Sequence, residues 1–304
     1  MTQITVVIPC YNHAHYLTEA VASVVAQTYS DWEIIIVDDG STDNTAAMAA
    51  ALIERYRDYR IRLLQQHNQG LPASRNNAIA IAHGAYIFPL DADDIIEPKM
   101  LATTAQVLDT HPDVGFVYTN TRLFGDESGI LHNRPFDRAL LRIDCYLHSQ
   151  SLFRRAAWAQ SGGYRNTMVR GHEDWDFWLG LVEHGWSGWH VALPLLRYRR
   201  TSTSKLATGR RLDLELRAQI ILNHPAMYEA PFHRWAHAIL SPGWSPHATL
   251  LTPLHWFAAY AWYNVLIARY APRELPRTIL RPFYWYLPLR IQNVARRAAR
   301  TVLR

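Results

Sequence analysis

The chain has 304 residues, 49% of them hydrophobic, and a net charge of +5, which suits one large domain or one domain with an appendage. Its two cysteines, Cys10 and Cys145, have no metal-ligand spacing and exclude a disulfide framework, so we expect a reducing cytoplasm. Residues 1–8 show neither the basic region nor the cleavage site of a secretory signal, in keeping with that expectation.

The positive charge is concentrated in the last part of the sequence. Residues 265–304 contain nine Arg and one Glu, a net charge of +8, which leaves −3 for the rest of the chain (+5 minus +8). Such an asymmetry points to a polyanionic partner, either nucleic acid or an anionic lipid surface.

Strand and helix patterns alternate through the first 120 residues. Apolar runs predict strands at residues 4–8, 32–37, 61–65, 85–90 and 114–119. Apolar residues at helical spacing predict helices at residues 15–27, 43–57 and 98–109, and a further helix that ends near residue 83. Ser41 or Thr42 is expected to N-cap the second of these helices. This alternation predicts an α/β fold, a mostly parallel sheet with helices on both faces.

Three carboxylates directly follow the fourth predicted strand. Asp91, Asp93 and Asp94 fall within four residues, and such neighbours repel each other unless a cation neutralises them. Hard oxygen ligands suit Mg²⁺ or Mn²⁺, which in turn suit a diphosphate. The alternative is a solvated acidic turn that caps the next helix.

Polar or aromatic residues also follow the other three strands. Tyr11 ends the first, Asp38 and Asp39 the second, and Asn68 and Gly70 the third. Because ligands of parallel α/β sheets bind outside the carboxyl ends of the strands, the four ends together predict a nucleotide-type ligand.

Two segments in the second half of the predicted catalytic region each allow two roles. Glu173 and Asp174 begin a predicted helix, where they either complement the helix dipole or supply a general base at a rigid position. Arg199 and Arg200 follow the last predicted strand, residues 193–198, in a loop that either holds phosphate or is solvated.

Six short motifs, in order, resemble those of the family 2 glycosyltransferases over about residues 3–205. They are Pro9-Cys10-Tyr11-Asn12, Val37-Asp38-Asp39-Gly40-Ser41-Thr42-Asp43, Asn68-Gln69-Gly70 with Ala73-Ser74-Arg75-Asn76, Leu90-Asp91-Ala92-Asp93-Asp94, Gly162-Gly163-Tyr164, and Glu173-Asp174 with Trp178. The resemblance implies a GT-A (Rossmann-like) fold, a nucleotide-sugar donor and inversion at the transferred sugar.

The resemblance also implies a role for each matching residue. Tyr11 would lie against the nucleobase and Asp39 would accept a hydrogen bond from it, which suits the imide N–H of uracil or thymine. Asp91 would face the ribose or the metal, Asp93 would bind Mn²⁺ or Mg²⁺ directly, and Asp174 would be the catalytic base. The remaining residues expected at the site are Pro9, Asn12, Asn68, Gly70, Arg75 and Ala92 beside the nucleotide, His148, Gly162, Gly163, Glu173 and Trp178 beside the sugar or acceptor, and Arg199 and Arg200 near the diphosphate.

The chain departs from the family pattern after the last strand. Many relatives carry a His in this loop, whereas here Arg200, Thr201 or water would have to take its place. The Gln-x-x-Arg-Trp motif of processive polymerases is absent after Asp174, which favours a single sugar addition.

Three other functions are alternatives to a glycosyltransferase. A nucleotidyltransferase also uses carboxylates and Mg²⁺, but it favours a Gly-rich, Lys-containing first loop, and a dehydrogenase is disfavoured because no G-x-G-x-x-G follows the first strand. A non-catalytic nucleotide-binding or membrane protein of the same fold is the third class.

The predicted domains are a catalytic domain at residues 1–222, with nucleotide and acceptor halves that meet near residue 120, and a helical aromatic and basic extension at residues 223–304. Residues 256–268 are apolar but shorter than the ~20 residues of a membrane span. Residues 290–304 have one apolar and one Arg-rich helical face and follow an aromatic cluster at 283–286, which is typical of helices at membrane interfaces. We therefore expect peripheral attachment to the cytoplasmic face of the membrane and a lipid-linked or cell-surface glycan acceptor. A helix docked on its own domain is the alternative, and nucleic acid is not expected.

Overall fold

The computed structural model describes residues 3–201, 212–241, 261, 264–265 and 267–270. Its strands are β1 Ile4–Cys10, β2 Trp32–Asp39, β3 Ile61–Gln66, β4 Tyr86–Pro89, β5 Ile95–Ile96, β6 Val114–Gly125, β7 Gly129–Leu131, β8 Leu152–Arg154 and β9 Ser187–Arg200. Its α-helices are α1 Ala14–Val25, α2 Thr45–Arg55, α3 Leu71–Ala80, α4 Met100–Thr110, α5 Arg138–Leu141, α6 Arg155–Ser161, α7 Glu173–Glu183, α8 Asp213–Asn223 and α9 Ala230–Ile239, with a 3₁₀ turn at Pro225–Met227.

Within these residues, nine strands form one sheet in the order β3-β2-β1-β4-β8-β6-β9-β5, and β7 pairs with β6. The first four strands in that order are parallel, as predicted. β8 is antiparallel to both β4 and β6, while β6 and β9 are parallel to each other. The chain moves outward from β1 through β2 to β3 and then returns to β4 on the other side of β1. This switch opens a crevice at the carboxyl ends of β1 and β4.

The core lies around the parallel strands. Every residue of β1 and β2 is buried, because helices cover both faces of this part of the sheet. Helix α1 packs on it through Leu17, Val21 and Val24, which are fully buried and recur at helical spacing. The predicted α/β fold class is confirmed.

Two local predictions were wrong. The last strand is not confined to residues 193–198 but spans Ser187–Arg200, because it pairs with β6 along most of its length. Arg199 and Arg200 therefore lie in a strand and not in a loop. Helix α2 is not N-capped by Ser41 or Thr42; it begins at Thr45, whose backbone N–H donates to Asp43 Oδ1 at 3.0 Å.

The chain divides into two compact units. The first comprises residues 1–141 and 145–216 and contains the sheet; the second comprises residues 142–144 and 217–304. In the second unit, Arg217 Nη1 donates to the carbonyl of Ile143 at 2.7 Å and Tyr228 Oη donates to that of Arg142 at 2.7 Å. The domain boundary near residue 222 stays a prediction. Of the described helices, none is long and apolar enough to cross a membrane. The predicted tail helix at 290–304 and the aromatic cluster at 283–286 lie outside the described residues.

Candidate active site

The acidic turn after β4 is held in place by its own hydrogen bonds. Asp91 Oδ1 accepts from Arg75 Nη2 at 2.9 Å, and Asp91 Oδ2 accepts from Gln150 Nε2 at 2.8 Å. Helix α4 begins only at Met100, with Lys99 at its N-cap position and no side-chain cap. The interpretation of the acids as a cap of the next helix is therefore wrong.

Asp94 anchors this turn to β9. Its side chain is buried; Oδ1 accepts from the backbone N–H of Arg199 at 2.7 Å and Oδ2 accepts from Gln150 Nε2 at 2.5 Å. Burial, together with the charges of Asp91 and Asp93, holds the pKa of Asp94 well above its ordinary value. The raised pKa reflects three carboxyl groups crowded into one turn.

Asp93 is half-buried and lies beside His13 and Arg199. Burial and the charge of Asp91 raise its pKa, while His13 and Arg199 act in the opposite direction. Among the described residues its carboxylate forms no salt bridge, whereas that of Asp91 is paired with Arg75. Asp93 is therefore the acid of this turn that is most open to an added cation.

Arg75 connects this turn to the start of α7. Its side chain is fully buried, and its Nη1 donates to Glu173 Oε1 at 3.0 Å while its Nη2 binds Asp91. The guanidinium also lies 5.3 Å from the ring centre of Tyr164. Two acidic motifs 82 positions apart in the chain (Asp91 and Glu173) thus meet on one cation.

Asp174 lies in the same neighbourhood. It is half-buried in the first turn of α7, and its Oδ1 accepts the backbone N–H of Trp175 at 2.7 Å. Burial lowers the pKa of His148, and the charges of Asp174 and Asp91 oppose that shift, so both acids lie within electrostatic range of this imidazole. The structure therefore brings Asp174, His148 and the acidic turn together at one end of the sheet.

Several residues predicted beside the nucleotide lie in loops that are joined to each other by hydrogen bonds. Asp39 accepts from the backbone N–H groups of Gln69 at 2.8 Å and Gly70 at 2.9 Å and from Gln66 Nε2 at 2.7 Å. These three bonds use most of the roughly four lone pairs of a carboxylate and leave about one for a ligand. A Cβ at Gly40 would lie 2.7 Å from the backbone nitrogen of Asn68, so the two loops touch.

The loop after β1 is tied to the loop after β2. Asn12 has a left-handed backbone with φ of 57°, and its Oδ1 accepts from the backbone N–H of Thr42 at 2.7 Å. Pro9 and Ala92 are buried at neighbouring strand ends. Tyr11, in contrast, is 45% exposed, which leaves its ring available to a flat partner.

The residues predicted beside the acceptor have mixed placements. Gly163 adopts φ of +75°, and a Cβ there would lie 2.7 Å from Asn76 Oδ1, so this turn packs closely on α3. Gly162 ends α6 in the left-handed conformation. Trp178 is fully buried, with its ring 4.9 Å from that of Phe116. It belongs to the core and does not line a ligand site, contrary to expectation.

Arg199 braces the acidic turn. Its Nε donates to the carbonyl of Asp93 at 2.8 Å, and its Nη2 pairs with Glu19 at 2.8 Å. The guanidinium lies between the rings of Tyr16 at 4.6 Å and Phe124 at 4.3 Å. Arg199 therefore reaches the acidic turn from a strand, and its role beside the diphosphate stays a prediction. Arg200 pairs with Glu127 at 3.8 Å.

Sequence reasoning missed Gln150 and His13. Both belong to segments without a recognised motif at those positions, although His13 directly follows Asn12. The available signal was topological: His13 follows β1 and Gln150 precedes β8, and these two strands flank β4 in the sheet.

A divalent cation fits this site only together with a ligand. Within the described part of the chain, no group of three or more His, Cys, Asp or Glu side chains could hold a metal ion. Mg²⁺ and Mn²⁺ often take one or two carboxylates from the protein and complete their shell with phosphate oxygens and water. Asp93, with Asp91 beside it, meets that requirement in the chemistry of its donor atoms.

Comparison with known proteins identifies the family. Residues 5–165 match Glycosyl transferase family 2, which is about half of the chain. EpsE of Bacillus subtilis (strain 168) is 32% identical over 207 residues, covering 66% of this chain and 74% of that protein. The chain belongs to glycosyltransferase family 2 and is a glycosyltransferase. The predicted enzyme class is confirmed over the nucleotidyltransferase alternative.

Solved structures confirm the GT-A fold. TarS 1–349 of S. aureus in complex with UDP-GlcNAc has a TM-score of 0.65 at 18% identity and covers 91% of this chain and 86% of its own. The mannosyltransferase PcManGT from Pyrobaculum calidifontis, in complex with GDP-Man and Mn²⁺, has a TM-score of 0.58 at 21% identity, with coverage of 99% and 81%. At such identities the likeness concerns the fold.

Replacing Arg75 by Met should destabilise the folded chain by about 3 kcal/mol, because two largely buried carboxylates lose their common cation. The free energy of unfolding in urea measures this. Arg57→Met is the matched control: the Arg57 side chain is 75% exposed and should change stability by less than about 0.5 kcal/mol. A loss below about 1 kcal/mol for Arg75→Met would show that the bridge is dispensable.

Proposed function

We propose that this glycosyltransferase moves a sugar, with inversion, from a UDP-sugar to an acceptor hydroxyl on a lipid-linked or cell-surface glycan precursor, one sugar per acceptor. The observation that carries the proposal is the Arg75 bridge, which joins the acidic turn to the start of α7. A leaving diphosphate and an attacking hydroxyl must meet in one crevice, and the bridge draws together the groups that each requires.

The nucleotide has a binding surface of fitting chemistry. The exposed ring of Tyr11 offers a stacking face beside the carboxyl end of β1. Asp39, held by the loop at Gln69 and Gly70, keeps about one lone pair to accept the imide N–H of uracil. UDP-GlcNAc in the TarS complex supports uracil as the base of the sugar donor. GDP-Man in the PcManGT complex makes guanine the competing base.

Asp93 and Asp91 would hold Mn²⁺ or Mg²⁺ together with the diphosphate. Such an ion acts as a Lewis acid that stabilises the negative charge of the leaving group. The acidic turn would attract this ion because it has more carboxyl groups than nearby cationic side chains. Asp91, Asp93 and Asp94 are accompanied by Arg75, which Glu173 shares, and by Arg199, which Glu19 also pairs.

Asp174 would remove the proton from the acceptor hydroxyl. General base catalysis of this kind contributes about 10²–10⁴-fold. One base opposite the leaving group gives a single in-line displacement and therefore inversion, by the geometry known for inverting glycosidases. Arg75 binds Glu173, the residue before Asp174, and so anchors the start of the helix that carries the proposed base.

Asp174→Asn should lower turnover by about 10²–10⁴-fold and leave UDP affinity within about twofold, because the change removes a proton acceptor but keeps the shape. Release of nucleoside diphosphate from a panel of UDP-, GDP- and dTDP-sugars with Mn²⁺ first identifies the donor. The same assay then measures the variant, with Glu183→Gln at the other end of α7 as the matched control. Unchanged turnover in Asp174→Asn would refute its assignment as the base.

The evidence for membrane attachment is the Arg-rich composition of residues 290–304. The proposal is that Arg side chains in residues 290–304 bind anionic headgroups, each contributing about 1 kcal/mol near the surface. Such attachment would bring the enzyme to a lipid-linked acceptor.

The variant with Arg296, Arg297 and Arg300 all replaced by Gln should bind anionic vesicles on the order of 100-fold more weakly than the parent chain. Flotation with vesicles containing about 30% phosphatidylglycerol measures this, and neutral phosphatidylcholine vesicles are the control. Equal flotation of both chains with anionic vesicles would refute the proposal that these Arg side chains bind anionic headgroups.

A further inference from the structure

Gln150 is a buried amide in contact with two acids of the turn after β4. It is 1% exposed, and its Nε2 donates to Asp91 Oδ2 at 2.8 Å and to Asp94 Oδ2 at 2.5 Å. One NH₂ group therefore satisfies one oxygen on each of two neighbouring carboxylates.

Gln150 lies just before β8, a strand that pairs with β4 and so brings this segment near the acidic turn. β8 runs antiparallel to β4, with Tyr86 opposite Arg154 and Ile87 opposite Phe153. Continued in the same register, Gln150 falls opposite Leu90, the residue before Asp91. Gln150 itself lies two residues before β8, so its side chain is held by its hydrogen bonds to the two acids and to Ser149.

The orientation of the amide is also defined by its surroundings. Ser149 Oγ donates to Gln150 Oε1 at 3.0 Å, which directs the oxygen to the hydroxyl and the NH₂ group to the acids. The opposite orientation would bring an amide oxygen against two carboxylates, which is repulsive.

The consequence for Asp91 is a fixed carboxylate. Arg75 binds one of its oxygens and Gln150 binds the other, so rotation of the group would break one bond or both. Each oxygen still retains lone-pair capacity for a ribose hydroxyl or a cation.

A neutral donor suits a cation site better than a second cation. An Arg or Lys at position 150 would cancel part of the negative charge that attracts a divalent ion. The amide orients Asp91 and Asp94 without adding a positive charge. Residues that hydrogen-bond to ligating carboxylates typically change metal affinity by about 10–100-fold when they are replaced.

We propose that Gln150 is a positioning residue for the divalent cation of the donor complex, acting by holding Asp91 and Asp94 in place without neutralising them. This inference rests on the proposed function, in which Asp93 and Asp91 hold that cation. It assigns a part in donor binding to the segment that directly precedes β8.

The test is calorimetric titration of UDP with and without Mn²⁺, on the full chain. Gln150→Met has nearly the length of Gln but no hydrogen-bond donor at the acids, and it should weaken Mn²⁺-dependent UDP binding by about 10–100-fold. Its UDP affinity in EDTA should stay within about twofold of that of the parent chain. Gln106→Met, at an exposed position of α4, is the matched control and should bind as the parent does.

Asp93→Ala separates the two proposals. The proposed function stands if Mn²⁺ strengthens UDP binding in the parent chain but not in Asp93→Ala. If Gln150→Met then binds UDP and Mn²⁺ like the parent chain, the inference about Gln150 alone is overturned. If Mn²⁺ does not affect UDP binding in the parent chain, both are overturned.

A second measurement covers the case that Gln150→Met does not fold. In a crystal structure of the parent chain with UDP and Mn²⁺, Gln150 Nε2 should remain within about 3.2 Å of Asp91 Oδ2. Rotation of the amide away from both acids in that complex would overturn the proposal.

Discussion

The site depends on one buried guanidinium. Arg75, on helix α3, pairs with Asp91 after β4 and with Glu173 at the start of α7. Isolated charges are not tolerated in a protein interior, so each carboxylate needs the guanidinium, and the guanidinium needs the carboxylates, to stay ionised and buried. The bridge therefore constrains where the acidic turn and helix α7 can lie, and with them the side chains that follow, Asp93 and Asp174.

The surrounding contacts extend this constraint to the whole end of the sheet. Gln150 and Arg199 hold the acidic turn against β8 and β9, while Asp39 and Asn12 tie together the loops that follow the first three parallel strands. The result is a set of fixed polar groups around a crevice, with Tyr11 exposed at one side and Asp93 without a salt bridge among the described residues. Because these hydrogen-bonding groups are already fixed, they need little reorganisation when a charged nucleotide sugar binds.

The parallel half of the sheet could be predicted from sequence because buried parallel strands are continuous apolar runs. The second half was harder. β9 owes its length to pairing with β6, which lies over 60 residues earlier in the chain and which local composition does not reveal. The same limit explains Gln150, which lies just before β8 and meets the acidic turn only in the folded chain, and Trp178, which follows an acidic segment but whose ring packs in the core.

A crystal structure of the full chain with UDP and Mn²⁺ tests the central claim most directly. The account predicts the diphosphate at the carboxyl ends of β1 and β4, Mn²⁺ bound by Asp93 at about 2.1–2.2 Å, the base against Tyr11, and Asp174 facing the same cavity with the Arg75 bridge intact. Nucleotide bound elsewhere on the molecule, or Asp93 and Asp174 opening onto separate surfaces, would contradict it.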